Sequence, residues 1–180
     1  MRQAIVALLL TAATVACAAG TSPAAAVSTR FARTPAWRTV FTAQDGVTGL
    51  ALDGKGNLYV TELQGDRIAE YGLAGAMVRE WGKSGSLPGQ LSQPAKLAFD
   101  AAGDVYVTEV GNNRVQKFSA EGESLAILGV SGTGPGQLSF PVGIVVDREG
   151  DILVANTFNN RIDKLSASGN VLAEWTVMAG

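Results

Sequence analysis

The sequence predicts an all-β chain assembled from three four-stranded antiparallel blades, and three observations predict it. The first is a repeat: Leu50-Ala51-Leu52-Asp53, Leu97-Ala98-Phe99-Asp100 and Ile144-Val145-Val146-Asp147 recur at an interval of 47 residues without a gap. Self-similarity at a period of roughly 20–50 residues marks a solenoid, a propeller or a similar array. The second is pattern, because each repeat is made of strand-length apolar runs separated by turn residues and shows no sustained i, i+3, i+4, i+7 spacing. The third is composition: 22 of 180 residues are glycine, well above the usual share of about 7%, as a fold with many tight turns requires.

Charge and residue content exclude several functions. Fourteen Lys and Arg against sixteen Asp and Glu leave a net charge of −2, which is unsuited to neutralising phosphates, so nucleic acid is not an expected partner. The chain contains no histidine. That removes Ser-His-Asp and Cys-His nucleophiles and every imidazole metal site. No glycine-rich loop follows a strand and opens a helix, so nucleotide binding has no support and no cofactor is expected.

Met1 and Arg2 precede an apolar run from Ala4 to Ala19, the layout of an export signal over residues 1–26. The run is too short for a permanent membrane span, which needs about 20 residues. The one cysteine, Cys17, ends Thr14-Val15-Ala16-Cys17, which resembles a bacterial lipobox, although such boxes usually carry an aliphatic residue where Thr14 stands. Lipidation of Cys17 is one reading. Cleavage after Ala24-Ala25-Ala26, which discards Cys17, is the other. Either route places the protein in the cell envelope or outside the cell, with membrane contact only through a lipid anchor. Residues 27–36 then read as a flexible tether, residues 37–180 as the repeat segment, and Trp37–Phe41 as one extra outer strand.

The blades are expected at about residues 47–82, 94–129 and 141–178. In the second, Lys96–Asp100 is the first strand, Asp104–Glu109 the second, Arg114–Ser119 the third and Ser124–Leu128 the fourth. Asp100-x-x-Gly103 suits the first turn, because the carboxylate can accept backbone N–H bonds while glycine takes positive φ. The first strands are apolar on both faces, as expected where sheets stack on either side. Connectors 82–92 and 129–139 share Gly-x-Ser-Gly-x-x-Pro-Gly-Gln-Leu-Ser.

Pro141-Val142-Gly143-Ile144-Val145-Val146-Asp147-x-x-Gly150 followed by Asn159-Asn160-Arg161-Ile162 resembles the NHL repeat, as does Asp104–Glu109 followed by Asn112-Asn113-Arg114-Val115. The resemblance covers about residues 47–176 in three copies and implies β-propeller blades, six being common in that family, used as binding platforms and in some branches as enzymes. The first copy is the least typical, since Val47 replaces the proline and Gln64-Gly65-Asp66 the asparagine pair.

Glu62 and Arg67, Glu109 and Arg114, and Asn156 and Arg161 flank the loops between second and third strands, so each pair faces across a hairpin mouth. Structural cross-strand pairing is the first reading. The second is ligand binding at a rim, with Asn112, Asn113, Asn159 and Asn160 supplying hydrogen bonds and Arg67, Arg114 and Arg161 gripping carboxylates or phosphates. The asparagines also suit the turns on backbone grounds alone. No catalytic residue and no metal site is assigned. The alternative is a metal-dependent propeller enzyme, a lactonase-like hydrolase or a lyase-like fragment, holding calcium or magnesium with Glu62, Glu109 and Asn156. Trp81 and Trp175 fall on fourth strands, where packing is expected and a carbohydrate platform is the other reading. Lys117 and Lys164 read as isolated and solvated.

Three blades do not close a ring, since propellers usually contain 4–8. The expectation is a homodimer completing six blades, or a shortened relative of a larger propeller. The function expected is a non-enzymatic, exported module that binds a protein or small ligand at the propeller rim.

Overall fold

The computed structural model describes residues 46–176. The export signal expected over 1–26 with Cys17, the tether expected over 27–36, the strand expected at Trp37–Phe41 and the end of the third repeat lie outside them. The first sheet comprises β1 (Val47–Leu52), β2 (Leu58–Glu62), β3 (Arg67–Tyr71) and β4 (Met77–Trp81). The second comprises β5 (Pro94–Phe99), β6 (Val105–Glu109), β7 (Arg114–Phe118) and β8 (Ser124–Leu128). A two-stranded parallel pair, β9 (Val130–Ser131) with β10 (Gln137–Leu138), follows in the connector. The third sheet comprises β11 (Pro141–Val146), β12 (Ile152–Asn156), β13 (Arg161–Leu165) and β14 (Val171–Thr176). Each four-stranded sheet runs in chain order and is antiparallel throughout, and the fold is that of propeller blades.

Strand β5 begins two residues earlier than the apolar pattern indicates, at a register break between Pro94 and Leu97. Proline is tolerated there because it opens the innermost strand and owes the ladder no N–H. The strand stops at Phe99 because the Asp100 carboxylate turns back onto the N–H groups of Ala102 and Asp104, both at 3.0 Å. Asp53 and Asp147 make the same turn, with Gly56, Gly103 and Gly150 at φ 89°, 90° and 85°.

The repeated lysines correct the expectation of solvated side chains. Lys117 Nζ lies 3.1 Å from Asp100 and 2.8 Å from Asp104, and Lys164 Nζ lies 2.8 Å from Asp147 and 2.9 Å from Asp151. Burial pulls the Lys117 ammonium down, and its neighbours Asp104, Tyr106 and Asp100 outweigh that and hold it above the ordinary lysine value. Asp147 and Asp151 hold Lys164 up in the same way. The first blade has Glu70 in place of the lysine and takes its cation from Arg79, at 2.8 Å. Tyr59 is pushed up to about 12, first by burial and then by the Glu70 charge.

These shifts set a pH profile. A lysine or tyrosine raised on folding contributes stability that is whole below its unfolded pKa, about 10, and is lost as pH rises through the folded value. Asp147, lowered by Lys164, and Asp100, lowered by Lys117 against the opposing pull of burial, contribute stability that disappears as pH falls below about 4. With no histidine in the chain, calorimetry should show a melting midpoint that is level from about pH 5 to 9 and declines above about pH 10. A steep change near pH 6.5 would contradict this account.

Packing is between sheets. Tyr59, Ile68, Leu91, Leu97, Val107 and Phe118 form one core shared by the first and second blades, with Trp81 against it. Tyr106, Val115, Leu128, Leu138, Val154 and Leu165 form another between the second and third. Tyr59 meets Phe99 edge-on at 4.8 Å and Trp81 at 5.8 Å. The innermost strands lie side by side, with Thr61 Oγ1 donating to the Ala95 carbonyl and Thr108 Oγ1 to the Val142 carbonyl, both at 2.9 Å, so the sheets fan around a common axis. Among the described residues only the middle blade has a neighbouring sheet on both faces, and on the flanking blades Leu50, Leu52 and Val145 are 69%, 55% and 59% exposed.

Candidate functional site

The loops between second and third strands share one end of the blades with the connectors. Their register is as the charge pattern indicates: Glu62 opposes Arg67, Glu109 opposes Arg114 and Asn156 opposes Arg161. In the second blade Arg114 Nε donates to Glu109 Oε1 at 2.6 Å. Its remaining nitrogens donate to the carbonyls of Ser86 at 2.6 Å, Gln90 at 2.9 Å and Leu87 at 3.3 Å. The guanidinium therefore ties connector 82–92 down onto the sheet. Glu109, fully buried, also accepts from Ser92 N–H at 3.0 Å, Asn112 Nδ2 at 2.6 Å and Gln116 Nε2 at 3.0 Å.

The third blade reaches the same end with different residues. Arg161 donates to the carbonyls of Thr133 at 3.0 Å, Gly134 at 2.6 Å and Gln137 at 2.9 Å, the positions one repeat beyond Ser86, Leu87 and Gln90. Its shortest ion pair is with Asp163 on its own strand, at 2.6 Å, and a second reaches Glu174 on β14 at 3.3 Å, while the residue opposite it on β12 is the uncharged Asn156. Asp163 stands where the second blade has Gln116, and Asn156 where it has Glu109. Carboxylate and amide have exchanged places, and Asn156 Nδ2 bridges to Asp163 at 2.6 Å while its Oδ1 accepts from Ser139 N–H at 2.8 Å. In the first blade Arg67 pairs with Glu62 at 2.6 Å and approaches Glu80 at 3.7 Å.

The asparagine pairs divide by role. Asn112 Nδ2 donates to the Gly85 carbonyl and Asn159 Nδ2 to the Gly132 carbonyl, each at 2.9 Å. Asn113 and Asn160 sit at φ 52° and 51°, the left-handed region asparagine tolerates. Asn113 Oδ1 accepts the Phe140 N–H of the next blade at 2.8 Å. The Asn160 side chain is exposed and has no partner among the described residues. Glu62, Glu109 and Asn156 belong to three separate blades, and no cluster of three or more His, Cys, Asp or Glu side chains among the described residues is placed to hold a metal ion.

One feature of this end escaped the motif reading. Phe140 and Phe158 stack at 4.4 Å with planes 12° apart, and they are 37% and 65% exposed. Phe158 lies in a 3₁₀ turn, Thr157–Asn159. Phe140 holds φ 55°, an uncommon state for a bulky residue. The signal was available: these positions carry Gln93 and Gly111 one repeat earlier, so two aromatics enter together where the other copy has none. Trp81 is packed within the first core, whereas Trp175 is 48% exposed.

The model of the NHL repeat family matches residues 91–118 and 138–164, in the second and third blades. A search of the curated proteins finds no match. Among solved structures the chain is similar to a catalytically inactive, histidine-to-alanine virginiamycin B lyase from Staphylococcus aureus with quinupristin: 21% identity, TM-score 0.60, 76% of this chain and 43% of that one. It is similar to a streptogramin B lyase at 23% identity and TM-score 0.58, over 75% of this chain and 42% of that one. It is also similar to a chain in a nidogen/laminin complex, at 22% identity and TM-score 0.55, over 71% and 48%. The chain spans less than half the length of each of these structures. It carries NHL repeats, and its described residues form three antiparallel blades of a β-propeller.

Proposed function

We propose that the chain is an exported, non-enzymatic binding module, secreted or held at the cell envelope through Cys17, that takes a protein or small ligand at the connector end of its blades. A pair of copies completes the ring. The observation that carries this reading is the division of labour at that end. The charged groups of the second blade, Glu109 and Arg114, are buried and spent on holding a connector, while the side chains turned outward include a stacked aromatic pair. Exposed aromatics supply contact area at low entropic cost, which suits recognition. A chain that shares this fold was solved within a nidogen/laminin complex, which supports a protein partner. The lyase likeness supports catalysis less, because this chain has no histidine at any position.

Phe158→p-benzoylphenylalanine, introduced in cells that export the protein, should yield a photo-crosslinked adduct of defined mass. The same label at Arg148, in the β11–β12 turn at the opposite end, should yield none. Millimolar calcium or magnesium should leave the melting midpoint of the purified protein unchanged. Equal labelling from both positions, or a rise of several degrees with either cation, would overturn the reading.

A further inference from the structure

The outer face of the third blade repeats a face that is already an interface. Shifting by one repeat, Val145, Leu153, Ile162 and Trp175 stand where the second blade has Ala98, Tyr106, Val115 and Leu128. Tyr106, Val115 and Leu128 are 0%, 0% and 3% exposed because the third blade covers them. Val145, Ile162 and Trp175 are 59%, 36% and 48% exposed.

Two further devices that join blades are also present and unused. Asp66 Oδ1 accepts the Gln93 N–H at 2.7 Å, and Asn113 Oδ1 accepts the Phe140 N–H at 2.8 Å. Asn160 is the third member of that series, with the same left-handed backbone and no partner among the described residues. The turn between third and fourth strands of the second and third blades also presses on the fourth strand of the blade before it. A Cβ on Gly122 would meet Trp81 Cγ at 2.8 Å, and one on Gly169 would meet Leu128 Cδ2 at 3.1 Å. Trp175 holds the corresponding place, with no turn over it among the described residues.

The complementary parts occur in the first blade. Gly46 occupies the position of Gln93 and Phe140 and shares their positive φ, 65° against 50° and 55°. Its N–H has no acceptor among the described residues. Leu50 and Leu52, exposed as noted, stand where Leu97 with Phe99 and Ile144 with Val146 pack against a preceding blade.

We propose that the outer face of the third blade receives the first blade of a second copy, head to tail, with Asn160 Oδ1 of one copy accepting the Gly46 N–H of the other. This deepens the paired reading above and rests on it. The contact is heterologous, and it closes because two copies of three blades complete one turn around the propeller axis. Ala155 stands where Thr61 and Thr108 donate to the next blade, so the new interface lacks that hydroxyl bond and relies on apolar cover and the Asn160 contact.

Light scattering on the processed chain should give the mass of two copies. Ile162→Asp and Trp175→Asp should each weaken that dimer at least tenfold, a conservative figure for placing a charge in a desolvated apolar contact, while circular dichroism stays that of the folded blades. In a Cys17→Ser background, Asn160→Cys with Gly46→Cys should form disulfide-linked dimers. Asp66→Cys with Gln93→Cys, the equivalent pair inside one chain, should close within that chain and leave no covalent link between copies. A monomeric wild type overturns both the pairing and this interface. A dimer that survives Ile162→Asp and Trp175→Asp and gives no Asn160–Gly46 cross-link overturns the interface alone and leaves the pairing standing.

Discussion

Arg114→Ala is expected to lower stability by about 3–5 kcal/mol, the cost of leaving one member of a buried ion pair without its partner. Arg114 and Glu109 are 7% and 0% exposed, so water cannot replace the lost guanidinium. Three connector carbonyls lose the guanidinium in the same step; Leu87 keeps the Gln90 N–H and Gln90 keeps Gln116 Nε2, so most of the cost lies in the unpaired Glu109 carboxylate. Urea unfolding of the purified chain measures the loss. The third blade supplies a sharper test, because it satisfies the same carbonyls with the carboxylate moved to the neighbouring strand. Glu109→Asn alone should therefore destabilise strongly, and adding Gln116→Asp should recover about 2 kcal/mol of that loss, within the range of couplings between contacting residues. If the double substitution is as unstable as the two single effects added together, the two blades do not use one interchangeable arrangement.

The parts legible in the sequence are those in which residue type and spacing carry the physics. The 47-residue period places twelve strands, because one register of apolar runs and Asp-x-x-Gly turns satisfies every copy. Cross-strand facing of Glu109 and Arg114 follows from a four-residue loop. What Arg114 grips does not follow, since its acceptors are backbone carbonyls 24 to 28 residues away, and any residue type offers a carbonyl. Lys117 reads as isolated along the chain because its partners Asp100 and Asp104 reach it only across the sheet. The parallel Lys164, Asp147 and Asp151 were the available clue. The exchange between Glu109 with Gln116 and Asn156 with Asp163 becomes readable only when the sheet register shows both positions facing one arginine. Phe140 and Phe158 are visible as departures from the repeat, but their stacking depends on a left-handed residue and a 3₁₀ turn that no periodicity announces.

Phe118→Ala is the substitution expected to cut deepest into the apolar cores, at about 3–5 kcal/mol, the usual cost of deleting a buried ring. Phe118 is fully buried in the core between the first and second blades, with the Trp81 ring 6.3 Å away. No core among the described residues is shared by the first and third blades, so stability is close to a sum of neighbour contacts, as in other repeat arrays. The damage should therefore be directional. Hydrogen exchange in Phe118→Ala should accelerate in β2 and β3 while β12 and β13 keep their protection. Leu165→Ala, in the core between the second and third blades, should cost about 2–5 kcal/mol and reverse the pattern. The melting midpoint of Phe118→Ala should fall by about 6–20 °C for a chain of this size. Uniform acceleration across all three sheets would show that the blades unfold as one cooperative body, and that inter-blade contacts cannot be loosened one at a time.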